Sequence, residues 1–152
     1  MIRYRSGRTL SVLVVGIYAL ATAPYCFSAD IHVRLVNTQD GKPMKGRPVI
    51  LYLGRDHSAH LEQRTDGDGV AAFHLADPAT DWLTPGDASY GIHYNCSPYE
   101  KCTFPTAEVL QRGVVALNLC DPKGKLKGKV EARPGEMVIF ARPLHWWEKA
   151  QW

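Results

Sequence analysis

From residue 31 onward the chain is dominated by short runs in which apolar and polar residues alternate, and a period of two argues against a helical bundle as its frame. Ile31-His32-Val33-Arg34-Leu35 alternates strictly. Val49, Leu51 and Leu53 share one parity, with Ile50 and Tyr52 on the other. Ala71, Phe73 and Leu75 recur within Val70 to Leu75. Tyr90, Ile92 and Tyr94 alternate with Gly91, His93 and Asn95; Val115, Leu117 and Leu119 alternate with Ala116 and Asn118. Met137, Ile139 and Ala141 alternate with Val138, Phe140 and Arg142. Successive side chains of a strand point to opposite faces, so each run offers one greasy face to a partner layer. Several such strands, spaced by turn residues, indicate an all-β antiparallel sandwich of about seven strands.

The first 28 residues stand outside this pattern. Arg3, Arg5 and Arg8 precede an apolar run from Leu10 to Ala23, which Pro24 ends before a short segment with small residues. That order is the signature of a secretory signal. The run is shorter than the roughly 20 apolar residues of a spanning helix, so cleavage is expected over a retained anchor. Cutting after Ser28 places Cys26 and Ser28 at the two small-residue positions, whereas cutting after Ala29 places bulky Phe27 at the outer one. Tyr25 argues against a lipid-modified Cys26. The organisation expected is therefore a signal at 1–28, a sandwich at 30–143 and an aromatic tail at 144–152. The formal charge of +3 comes entirely from Arg3, Arg5 and Arg8, which leaves the remainder balanced. A balanced domain lacks the basic surface that tracks phosphates, so no nucleic-acid partner is expected. Membrane contact is expected only through the signal before cleavage.

Turn chemistry punctuates the rest. Asp40-Gly41 follows the first run and Asp68-Gly69 precedes Val70; glycine supplies the positive φ of tight turns. Pro78 and Pro85 bound Asp77 to Asp87, read as irregular with room for one helical turn. One short helix is expected near 106–112, with Thr106 as its cap, Glu108 in the first turn and Gly113 closing it. A second helical turn is expected between Leu144 and Gln151.

The stretch Ile31 to Leu75 resembles the carboxypeptidase regulatory-like, or transthyretin-like, sandwich domains. The residues that carry this are Asp40-Gly41-Lys42-Pro43-Met44-Lys45-Gly46 before Val49-Ile50-Leu51, and Thr65-Asp66-Gly67-Asp68-Gly69 before Val70-Ala71-Ala72-Phe73. The second half looks like a group of small bacterial secreted proteins, through Thr106-Ala107-Glu108-Val109-Leu110, Asn118-Leu119-Cys120, Pro134-Gly135-Glu136-Met137-Val138 and Arg142-Pro143-Leu144-His145-Trp146-Trp147. The resemblance implies an immunoglobulin-like or transthyretin-like sandwich and an accessory role without a catalytic set. A branch of the transthyretin-like fold hydrolyses 5-hydroxyisourate through a C-terminal Tyr-Arg-Gly-Ser motif; this chain ends Glu148-Lys149-Ala150-Gln151-Trp152, so that activity is not carried over.

Three cysteines follow the signal, and spacing alone does not choose among their pairings. Cys96 and Cys120 each end an expected strand, and the second-half resemblance also favours joining them; Cys96–Cys102 is the rival. Such a bond typically contributes about 2–4 kcal/mol. A thiol nucleophile finds no supporting His/Asn context. His57, His60 and His74 are candidate metal ligands for a small hydrolase, but a zinc site needs three or four convergent ligands and loop spacing does not converge them. Asp66 and Asp68 resemble the start of a calcium loop, yet strand residues follow where further oxygen ligands belong, and a hairpin turn is the plain reading.

Two features remain as interaction surfaces. Lys123, Lys125, Lys127 and Lys129 alternate with Gly124, Leu126 and Gly128. In an extended ribbon all four would point one way, toward anionic headgroups or acidic glycans, or simply into solvent as guards against edge pairing. Trp146, Trp147 and Trp152 either mark a contact site or fold back over an open end of the sandwich. Tyr90, Tyr94, Tyr99 and these tryptophans could stack sugars. No nucleophile elbow, phosphate loop or dinucleotide fingerprint is present. The expectation is an exported, periplasmic or secreted bacterial module with no cofactor and no catalysis, binding a protein or cell-envelope partner. A carbohydrate-binding module and a metal-dependent hydrolase are the alternatives.

Overall fold

The computed structural model describes residues 28–76, 80–86, 92–94, 102–121 and 123–144. Within them the chain runs β1 (Ala29–Asn37), β2 (Pro48–Leu53), β3 (Ala59–Arg64), β4 (Val70–Leu75), β5 (Trp82–Gly86), β6 (Ile92–Tyr94), β7 (Phe104–Pro105), α1 (Thr106–Arg112), β8 (Val114–Val115) and β9 (Glu136–Pro143). The all-β sandwich is as expected: a first sheet orders β4-β1-β9-β6 with β8 also on β9, and a second orders β3-β2-β5-β7. Pairing is antiparallel except at β9, which lies parallel to both β1 and β8.

The alternation explains the core. On β1, Ile31, Val33 and Leu35 are fully buried while His32 is exposed and Arg34 half-buried. Register places Val33 beside Ala71 on β4 and Met137 on β9, so one row of inward side chains crosses three strands. Val49, Leu51 and Leu83 bring the second sheet to the same cluster. Side chains of this size, when fully buried, contribute about 1.5–3 kcal/mol each.

Three strands were not legible as such. In β3 (AHLEQR) five of six residues are exposed, because it is an edge strand paired only with β2. The stretch expected to be irregular holds β5, whose Pro85 pairs with Leu51. On its other flank β7 reaches only Trp82 and Leu83, so among the described residues Pro85 sits where no second ladder needs its missing N–H, as proline in a sheet requires. β7 is two residues long.

The helix spans Thr106–Arg112 as expected, with Glu108 in the first turn and an ion pair to Arg112 one turn on. Its cap is not Thr106. Pro105 holds the cap position without a side-chain bond, and the Thr106 hydroxyl is buried with no hydrogen-bond partner among the described residues. Pro105 is extended and its preset φ leads the chain into the helix one residue earlier than Thr106 would. Gly113 closes the helix at φ 73, donating its N–H to the Val109 carbonyl. A Cβ there would lie 2.1 Å from the Arg133 carbonyl oxygen, so no other residue fits without displacing backbone.

Candidate functional site

Two sequence features converge on the outer face of the first sheet. Strand β9 carries the run Met137-Val138-Ile139-Phe140-Ala141, and all five are buried. Met137, Ile139 and Ala141 face the second sheet; Val138 and Phe140 face the other way. A strand apolar on both parities must be covered on both faces. The cover here is the excursion from Ala116 to Gly135. With Val36 on β1, Val138 and Phe140 form a second cluster, against which Leu126, Val130 and Ala132 pack.

Side-chain anchors hold this excursion to the sheet. Asn118 donates from Nδ2 to the Thr38 carbonyl at 3.0 Å and accepts the Cys120 N–H at 3.2 Å. Asp121 accepts the Leu126 N–H at 2.7 Å. That amide bond, ahead of the nearby Lys125 charge, holds the Asp121 carboxyl below its ordinary value of 3.8. Arg34 donates from Nε to Glu136 at 2.7 Å and also to the Glu131 carbonyl. Glu136 in turn accepts the Arg133 N–H at 2.9 Å.

The lysines are not on an extended ribbon. The Gly124, Lys127 and Lys129 amides donate to the Asp121, Gly124 and Leu126 carbonyls, which makes successive tight turns. Gly124 and Gly128 take φ of 62 and 70, a region that L side chains disfavour. Leu126 turns inward to the outer cluster, and Lys123, Lys125, Lys127 and Lys129 are all exposed. The strand expected over Val115 to Leu119 stops after Val115, and its faces are reversed. Ala116 is buried at 6%, while Val115, Leu117 and Leu119 are 42%, 71% and 46% exposed. These three are the large exposed hydrophobics of the described residues. Between this strip and the lysine turns lies a cleft of about 370 Å³ with Phe140 and Val130 in its lining, Asn118 and Asp121 as polar groups, and Lys127 at its lysine side.

The other candidates do not assemble. His57 stacks on Tyr52 at 5.0 Å between ring centroids, and His60 lies 5.9 Å from the same ring. His74 is on β4 in the other sheet, 2.9 Å from the Asp30 carboxylate on β1. Among the described residues no three of His, Cys, Asp and Glu come together as a metal site. Asp66 turns its carboxylate onto its own loop, accepting the Val70 and Asp68 amides at 2.9 and 2.8 Å, bonds that lower its pKa. Tyr94, expected to stack a sugar, is buried, and its hydroxyl donates to the Gly86 carbonyl at 2.8 Å. The Trp82 ring lies against the Arg55 guanidinium at 4.1 Å.

Cys120 is disulfide-bonded, and Cys102 is not in a disulfide among the described residues. Cys96, Tyr90, Tyr99, Trp146, Trp147, Trp152, the second helical turn beyond Leu144 and residues 1–27 of the expected signal lie outside the described residues. No helix of the described residues is long and apolar enough to cross a membrane. No protein-family model matches the chain, and no curated protein or solved structure shows significant similarity to it.

The signal that would have found this surface is the pair of consecutive apolar residues Leu35-Val36 and the unbroken Met137-to-Ala141 run. Both state that the first sheet has no solvent-facing side at its centre.

Proposed function

We propose that this chain is an exported β-sandwich module, periplasmic or secreted, that works by binding a protein or another component of the cell envelope and carries out no catalysis. The observation that carries the reading is the concentration of its large exposed hydrophobics, Val115, Leu117 and Leu119, in one anchored strip beside an apolar cleft and four exposed lysines. Keeping such side chains in water is costly, and contiguous apolar surface rimmed by charge is the usual mark of a contact site. The anchors from Asn118, Asp121 and Arg34 support the same reading, because a surface ordered in advance loses little freedom when it binds. The loop turns at Asp40 and Asp66 fit the carboxypeptidase regulatory-like resemblance, which we retain as the proposed kinship of the module. Export accords with the basic-then-apolar start of the chain and with a bridged Cys120. A sugar-binding reading is weaker, since Tyr94 is buried and the Trp82 ring is covered on one side by Arg55.

The test is photo-crosslinking in cells from a benzophenone residue placed at position 117, with Gln63 on the exposed strand β3 as control. The expected outcome is an adduct in the envelope fraction from position 117 and none from position 63, on a chain whose N-terminus begins after Ser28. A chain that stays cytosolic with Met1 retained, or equal labelling from both positions, overturns the reading.

A further inference from the structure

We propose that the Val115–Leu119 strip and the lysine turns at 123–129 form one docking face for an anionic phospholipid surface. The apolar side chains enter the boundary between headgroups and acyl chains, and the lysines meet the phosphates. This rests on the envelope-binding reading and specifies its partner; it departs from the expectation that the chain touches membrane only through its signal.

Three observations point the same way. First, Leu117 is 71% exposed, with Val115 and Leu119 beside it, and Val115 and Leu117 project from one wall of the cleft whose other wall holds Gly124, Leu126 and Lys127. Protruding aliphatics gain most from a fluid apolar phase that closes around them, as at the interface of a bilayer. Secondly, charge is concentrated where the apolar strip is. Beyond residue 28 acidic and basic residues are equal in number, yet 121–129 holds four lysines against the single carboxylate of Asp121. Asp121 is already engaged by the Leu126 amide. No ion pair joins any of the four lysines to a carboxylate of the described residues. Their positive field reaches about 8–10 Å in physiological salt, enough to attract a negatively charged leaflet.

Thirdly, the cations are lysines throughout. Residues 115–130 contain no arginine. Capture of a particular carboxylate or phosphate on a peptide favours the bidentate fork of arginine, whereas lysine is a mobile point charge suited to many shallow headgroup contacts. Lysine stems also lie along apolar surface while the ammonium stays in water, which suits a residue flanking an inserted leucine. The Asn118–Thr38 bond ties the strip to the first sheet and the Leu126–Asp121 bond closes the turns, and both parts line one cleft, so they are held side by side before binding.

The experiment uses the full chain with vesicles of phosphatidylglycerol or of phosphatidylcholine, reading amide exchange across 115–129. This local readout separates the face from any contact made by residues 1–27. Slowed exchange at 115–129 is expected with phosphatidylglycerol, absent with phosphatidylcholine and abolished by high salt. Each lysine should be worth about fivefold in partitioning. The double variant Lys125→Ala/Lys127→Ala should therefore bind about 25-fold more weakly, and Leu117→Ser should reduce binding at every salt concentration. All of these positions are exposed, and an unchanged circular-dichroism spectrum confirms that the variants fold. Absence of protection with phosphatidylglycerol, equal protection with phosphatidylcholine, or full binding by the double variant overturns the assignment. A protein adduct from position 117 without vesicle protection overturns it while leaving the binding-module reading intact. Loss of both adduct and protection removes both.

Discussion

The two faces of the first sheet bury apolar side chains in different ways. Toward the second sheet, Ile31, Val33, Leu35, Met137 and Ile139 meet another layer of regular strands, and all are fully buried. On the opposite face, Val36, Val138 and Phe140 are covered by turns, with half-buried Leu126 and Val130 as the cover. The first region is sealed between two hydrogen-bonded sheets. The second is held by a few side-chain anchors: Asn118 to Thr38, Asp121 to Leu126, and Arg34 to Glu136 and Glu131. Regular layers supply stability to the whole domain; an anchored cover supplies a surface whose shape can be used for binding and whose opening need not unfold the sheets.

The largest test of this contrast is in the inter-sheet core. Ile139→Ala should cost about 2–5 kcal/mol in urea unfolding, because the sheets on either side cannot collapse into the cavity. In the cover, Leu126→Ala should cost only about 1 kcal/mol, since part of the side chain is already in water and the turns around it can settle into the space. It should speed amide exchange at 121–130 while leaving β1 protected. If Leu126→Ala unfolded the domain as severely as Ile139→Ala, the two regions would be one cooperative unit and the contrast would fail.

A smaller effect of opposite sign is expected at the start of α1. The Thr106 hydroxyl is buried without a partner among the described residues, so Thr106→Val should stabilise the chain by about 1 kcal/mol, readable as a raised thermal midpoint. A loss of stability would mean that the hydroxyl has a role as cap or ligand. The smallest global effect is expected from acid. Asp121 has its pKa lowered in the folded chain by the Leu126 amide, so the ionised carboxylate favours the folded turn. That contribution is complete above the ordinary value of 3.8 and is lost as pH falls through the lowered one. Exchange at Leu126 should therefore rise in that acid window before the sheets respond, and Asp121→Asn should show faster exchange already at neutral pH. If the Asp121→Asn variant matched the parent at both pH values, the anchor would be dismissed.

Much of the frame was legible because alternation is a local property. The parity of Ile31, Val33 and Leu35, of Val49 and Leu51, and of Ala71, Phe73 and Leu75 predicts their inward face without knowledge of any partner. The short helix was legible from Glu108 and Gly113. Other elements failed for identifiable reasons. β3 has almost no buried residue to announce it, and β5 contains a proline that β7, among the described residues, is too short to reach. The Val115 to Leu119 alternation pointed to the wrong face, since alternation reports two faces and cannot say which is wet. The lysines were noticed for their spacing, but Gly124 and Gly128 convert that spacing from a ribbon into turns.

The sequence by itself determined the class of structure: two layers of strands, a short helix and the turns between them, all set by side-chain parity and backbone preference within a few residues. Only the tertiary structure decided where the surface lies, because Leu126 and Phe140 meet across a chain excursion, as do Asn118 and Thr38 across 80 residues. Burial and exposure depend on what covers a residue, and that is a property of the assembled fold.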